Sequence, residues 1–197
     1  MSQNLLLNFP HLKKISLLHA NLEVENSDIT WPKQLTDLSI YNSSQAYIPP
    51  ITDSHVKKLT IIWWPNLRNI SAINYFHNLE EFILKEANKL SYLPGKIFEK
   101  NGKLKTLKIY QNRHLTKMNS ETLIGLKNLT SISFLGNPIS SLPPYFFANT
   151  PKLSHFSWKE DRCQEIQNRT FPNHMLKGLH HLKKFTYSQH HLKGYIE

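Results

Sequence analysis

Eight times along this chain an apolar residue is followed by a second three positions later and a third two positions beyond that. The instances are Leu12/Ile15/Leu17, Leu35/Leu38/Ile40, Val56/Leu59/Ile61, Leu79/Phe82/Leu84, Leu104/Leu107/Ile109, Leu129/Ile132/Phe134, Leu153/Phe156/Trp158 and Leu182/Phe185/Tyr187, with starts 21 to 29 residues apart. A recurrence at that period marks a stacked array of similar small units, because no single unit of this size can bury its own apolar face.

Within each unit the last two apolar residues alternate with wet neighbours, the pattern of a short strand with one face buried. Stacking such strands predicts a parallel sheet and a core shared between neighbours. In two units the pattern runs on, to Asn112 before Leu115 and Asn137 before Ile139. A buried amide at a turn can satisfy backbone groups that no strand ladder reaches, so both asparagines are expected to be structural. The second half of the unit is also in register: Leu93, Phe98 and Leu104 have the spacing of Leu142, Phe147 and Leu153 and of Met118, Leu123 and Leu129. Prolines at Pro94, Pro143 and Pro144 favour irregular or 3₁₀ pieces there over a long helix. Phe76, Phe98, Phe147 and Phe171 are expected to form an inner aromatic column, packing the core rather than lining a pocket.

The full pattern, L-x-x-L-x-L-x-x-N-x-L, resembles the leucine-rich repeat over essentially the whole chain. That resemblance implies an α/β repeat fold: one solenoid domain over residues 1–197, a horseshoe of about eight repeats with a parallel concave sheet and an irregular convex side. The L-P-x-x-x-F outer half is similar to the typical repeats of animal extracellular receptors and matrix proteins, whose known role is to bind other proteins. Around Trp63, Trp64, Pro65, Asn66 and Leu67 the turn is longer and resembles intracellular recognition-type repeats instead. Residues 159–181 carry an insertion, and Ala20, Ser43 and Asp161 replace the turn asparagine, so the solenoid should be least regular there. The disulfide caps of the extracellular relatives are not recognisable, and Leu5, Leu6, Leu7 and Phe9 read as the tail of a preceding unit. The expectation is a fragment of a receptor ectodomain, extracellular or at the cell surface; a complete chain would instead read as a cytoplasmic scaffold or substrate-recognition subunit.

Composition narrows the class. No apolar run approaches the roughly 18 to 20 residues that span a bilayer, so no membrane span is expected in this chain. The one cysteine, Cys163, cannot close an internal disulfide. Basic and acidic residues balance at nine each over positions 1–99, whereas fifteen face five over positions 100–197, so the whole net charge of +10 lies in the second half. Such an excess invites an anionic partner, an acidic protein or a sulfated polysaccharide; nucleic acid is unlikely because no nucleic-acid motif accompanies it. Four sequons, at Asn42, Asn69, Asn128 and Asn168, fit N-linked glycosylation.

In a stacked solenoid the wet strand positions line up as columns. The central one runs Ser16, Ser39, Thr60, Ile83, Lys108, Ser133, Ser157 and Thr186, a flat and adaptable surface rather than a catalytic one. Beside it Lys14, Asp37, Lys58 and Glu81 alternate in sign and should neutralise one another. Tyr41, Trp63 and Tyr110 are the large side chains of this surface, the types that anchor protein interfaces. Lys105 and Lys108, placed beside Tyr110, complete the expected binding set, for a protein ligand or co-receptor. Nothing points to catalysis, a cofactor or a metal: Cys163 has no nucleophile signature, glycine-rich phosphate loops are absent, and His180, His181, His190 and His191 lack carboxylates or thiols at ligand spacing.

Overall fold

Each apolar triplet becomes a strand whose inward side chains are shut off from water. The computed structural model describes residues 8–19, 31–48, 54–139, 141–159, 176, 179–188 and 193–196. Eight parallel strands stand side by side: β1 (Lys14–Leu18), β2 (Asp37–Tyr41), β3 (Lys58–Ile62), β4 (Glu81–Lys85), β6 (Thr106–Tyr110), β8 (Ser131–Leu135), β9 (His155–Lys159) and β10 (Lys184–Ser188). Register is uniform, so the first, third and fifth residue of each strand lie beside those of its neighbours. The central column predicted from sequence is the observed one, Ser16–Ser39–Thr60–Ile83–Lys108–Ser133–Ser157–Thr186.

The sheet is not parallel throughout. A ninth strand, β11 (Lys193–Ile196), folds back antiparallel on β10, pairing Phe185 with Ile196 and Ser188 with Lys193. An antiparallel neighbour needs only a short turn, whereas another parallel strand would need a full crossover.

Two backbone ladders keep the columns aligned. At the N-terminal edge, the carbonyl just before each strand accepts two N–H groups from the next unit: Lys13 from Thr36 and Asp37, Lys105 from Thr130 and Ser131, Ser154 from Lys183 and Lys184. At the C-terminal edge, the residue just after the strand turns into the left-handed region. This holds for His19, Asn42, Trp63, Glu86, Gln111 and Gly136, with φ between +51° and +67°. Each then donates its N–H to the last carbonyl of the neighbouring strand, as Trp63 does to Lys85 at 2.9 Å. Left-handed backbone costs a non-glycine residue about 1 kcal/mol or more, and the repeated hydrogen bond offsets it.

On the convex side, Ser71–Tyr75 is a 3₁₀ helix. Two short strands, β5 (Tyr92–Leu93) and β7 (Lys117–Met118), pair in parallel there, a second small sheet that the sequence pattern did not announce. The core lies between the two sides. Phe76, Phe98 and Phe147 are buried in it as expected, while Phe171 lies outside the described residues. Toward β9 it becomes aromatic: Phe156 packs against Phe147 at 4.9 Å, Phe185 at 5.2 Å, Trp158 at 6.2 Å and Phe134 at 6.4 Å between ring centroids.

The turn asparagines form a buried chain. Asn112 Oδ1 accepts the Ala87 N–H at 2.8 Å, and Asn137 Oδ1 accepts both the N–H and the Nδ2 of Asn112 at 3.0 Å. Asn137 Nδ2 in turn donates to the Ile109 carbonyl at 2.7 Å. Two units before Asn112, Trp64 holds the equivalent place, fully buried, with its indole N–H on the Gln45 carbonyl at 2.7 Å.

Candidate recognition surface

Three kinds of surface run along the outer face of the sheet, one at each strand edge and one between. The fifth strand position and the left-handed residue after it make the C-terminal rim. There Leu18 is 69% exposed and Trp63 56% exposed, with Tyr41 and Ile62 half-buried on the strands between. Further along the same column come Lys85, Tyr110 and Leu135. Leu18, Ile62 and Leu135 were absent from the expected set. A signal for them existed: each directly follows the last core residue of its triplet, so it faces water although it is apolar.

Along the middle, the charges are tied together. Glu81 accepts from Lys58 Nζ and from Lys108 Nζ, both at 2.9 Å. Partial burial pushes the Glu81 carboxyl up, but the hydrogen bonds from Lys108 and Lys58 outweigh it and hold it below the ordinary value. The same bond raises the Lys108 ammonium. Of the expected ladder, Lys58–Glu81 is an ion pair, whereas Asp37 instead accepts the Thr36 hydroxyl at 2.7 Å.

The signs of the two shifts give opposite windows. The lowered Glu81 carboxyl contributes stability present above its unfolded value, near 4.5, and lost as pH falls through the folded one. The raised Lys108 contributes stability that is full below about 10.5 and lost as pH rises through its folded value. Glu81→Gln should therefore cost about 0.5 to 1 kcal/mol at neutral pH and flatten the acid side of the stability profile. Urea unfolding at pH 7 and pH 3 checks this: the gap between the two proteins should close at the lower pH.

At the N-terminal edge, Lys105 Nζ meets Glu80 at 2.6 Å, and this hydrogen bond is the main cause of a lowered Glu80 carboxyl. Lys105 is therefore not beside Tyr110, as expected from sequence. Lys105 immediately precedes β6 and Tyr110 ends it, about 17 Å away at about 3.3 Å per residue. Lys108, in the middle of that strand, does lie near the Tyr110 phenol, but its charge is spent on Glu81.

The sequons differ in what their amides already do. Asn69 is exposed and uses its oxygen to accept the Ser71 N–H. Asn42 sits on the left-handed column with Nδ2 on His19 Nδ1 at 2.7 Å. Asn128 is engaged at both ends, Nδ2 to the Gly102 carbonyl at 2.8 Å and Oδ1 from Lys152 Nζ at 2.6 Å. Asn168, Cys163, His190 and His191 lie outside the described residues. Among the described residues no three His, Cys, Asp or Glu side chains converge, and no helix is long and apolar enough to cross a membrane.

This architecture of stacked parallel strands with a buried turn asparagine has a counterpart in sequence. A family model described as a BspA type leucine rich repeat region matches residues 54–191 in six copies. The chain belongs to this leucine-rich-repeat family. Among curated protein sequences none matches. Two solved leucine-rich-repeat structures match part of the chain. One is the Toll–Spatzle complex from Drosophila, at 22% identity and a TM-score of 0.47, covering 76% of this chain and 23% of that one. The other is internalin C2 from Listeria monocytogenes, at 18% identity and a TM-score of 0.45, covering 79% of this chain and 72% of that one. The chain thus spans about a quarter of the first of these.

Proposed function

We propose that this leucine-rich-repeat domain is a non-enzymatic recognition module that binds a protein along its concave face, anchored on the C-terminal rim. The observation that carries the reading is the run Leu18, Tyr41, Ile62 and Trp63, apolar and aromatic side chains on three adjacent strands that leave two large ones mostly in water. A fold pays for such exposure unless a partner covers it, and aromatic anchors flanked by small hydroxyls give both contact area and adaptability. Lys105, Lys108 and Tyr110 remain in the proposed contact set, with the two lysines acting through polar contacts at the margin.

Trp63→Ala is expected to weaken a partner retained by the parent protein by about 2 kcal/mol, close to thirtyfold in Kd, and Tyr110→Ala by less. Titration calorimetry against a partner recovered with the parent checks this, with the convex variant Tyr145→Ala as reference. Equal affinities for parent and Trp63→Ala would refute the rim as anchor. We place the domain in a secreted or cell-surface receptor on the strength of its sequons, of which exposed Asn69 is the best acceptor. A mass that falls on enzymatic removal of N-linked glycans tests that placement, and an unmodified chain would favour an intracellular scaffold.

A further inference from the structure

The edge of the sheet opposite Trp63 carries a charge pattern that, Lys105 apart, protein recognition on the rim does not use. Consider the positions three residues and one residue before each strand, together with the first strand residue. From β2 to β4 these nine positions hold two lysines and one histidine against Asp37, Glu80 and Glu81. From β6 to β10 the corresponding twelve hold five lysines, two histidines and no carboxylate. At about 4.8 Å between strands, the second group forms a cationic band about 14 Å long.

How the lysines are held matters as much as their number. Lys105 is neutralised by Glu80, but Lys103 Nζ donates to Asn78 Oδ1 at 2.7 Å and Lys152 Nζ to Asn128 Oδ1 at 2.6 Å. A neutral amide fixes the direction of an ammonium without cancelling its charge, and each ammonium keeps two further donors. Lys103 and Lys152 lie two strands apart, about 10 Å, on either side of Asn128. Between them is an open groove of about 390 Å³, lined also by Lys105, Thr130 and Glu80. Beyond it Lys183 and Lys184 continue the band, exposed on the edge of β10.

We infer that this band binds a linear sulfated polysaccharide, with one sulfate or uronate unit seated in the groove between Lys103 and Lys152. The composition of the band selects that class. Protein interfaces deplete lysine at their centres and use aromatic or Arg anchors, neither of which occurs at these twelve positions. Single-stranded nucleic acid needs aromatic platforms for its bases, equally missing there. A row of lysine point charges with hydroxyl and amide neighbours suits a flexible polymer whose anionic groups recur along its length.

The test is heparin binding by the unglycosylated chain, since a glycan on Asn128 would fill the groove. The parent protein should be retained, with affinity falling steeply as salt rises. Lys103→Ala with Lys152→Ala should lower affinity about tenfold or more and reduce the slope of log affinity against log salt by one to two units, about what losing two ionic contacts gives. Lys96→Ala with Lys117→Ala, two exposed lysines on the convex side, removes the same net charge and should leave both quantities nearly unchanged. Circular dichroism confirms folding of each variant. Equal losses in the two double variants would overturn the site, because retention would then follow net charge alone; so would no retention of the parent. Displacement of heparin by polyglutamate at matched charge would overturn the assignment to a polysaccharide and point to an acidic protein segment.

Discussion

Phe156→Ala should destabilise the protein by about 4 kcal/mol, more than the loss of any one surface charge or buried amide. Phe156 is fully buried and meets four other rings, with Phe185 stacked on it and Phe147 edge-on. Truncation leaves a cavity whose walls are rigid aromatic rings on three neighbouring strands, and rings of that size cannot collapse into it. The location gives the loss a second signature. In a linear array each unit is held only by the units beside it, so weakening the interface between β9 and β10 loosens the last strands before the rest. Chemical denaturation of the variant should show an early phase, with amides of β10 and β11 exchanging hydrogen well ahead of those of β3 to β6. A single cooperative transition with an undiminished midpoint would show that Phe156 is not the keystone of this end.

Asn137→Ala should cost about 3 kcal/mol, or about 6 to 12 °C in melting temperature for a chain of this length. The substitution removes little apolar contact. It leaves the buried N–H of Asn112 and the Ile109 carbonyl without their partners, in a place where water does not reach. Asn137→Asp separates the two halves of the amide's role. The aspartate keeps an acceptor for Asn112 but sets a carboxylate oxygen against the Ile109 carbonyl, so it should rescue little stability at pH 7 and more in acid, where the protonated carboxyl can donate. Thermal melts of both variants at pH 7 and pH 4 measure this directly.

The strands and their register were legible because the side-chain period of a strand is two and the apolar triplets repeat it eight times. The asparagine chain was legible for the same reason, from Asn112 and Asn137 at matching offsets. What one-dimensional spacing does not carry is the identity of cross-strand partners. Lys105 and Lys108 looked like free cations because Glu80 and Glu81 lie about a repeat earlier, and only the stacked register brings them together. The strand Lys193–Ile196 was illegible as a reversal because it shares no residue pattern with the strand it pairs with. The C-terminal rim was half legible. Tyr41 and Trp63 stand out as aromatics, whereas Leu18 and Ile62 directly follow core residues and differ from them only by the alternation of the strand.

The left-handed residue after each strand is the position at which the fold asks least of the side chain. Histidine, asparagine, tryptophan, glutamate, glutamine and glycine occupy it in six successive units, and the same backbone hydrogen bond is made each time. Its side chain neither enters the core nor completes the backbone ladder; what the backbone disfavours there is β-branching. This makes the column a line of letters set at strand spacing on a rigid support, coupled at most to the next letter, as Asn42 is to His19. The specificity of such a surface can change one repeat at a time, without repacking the interior.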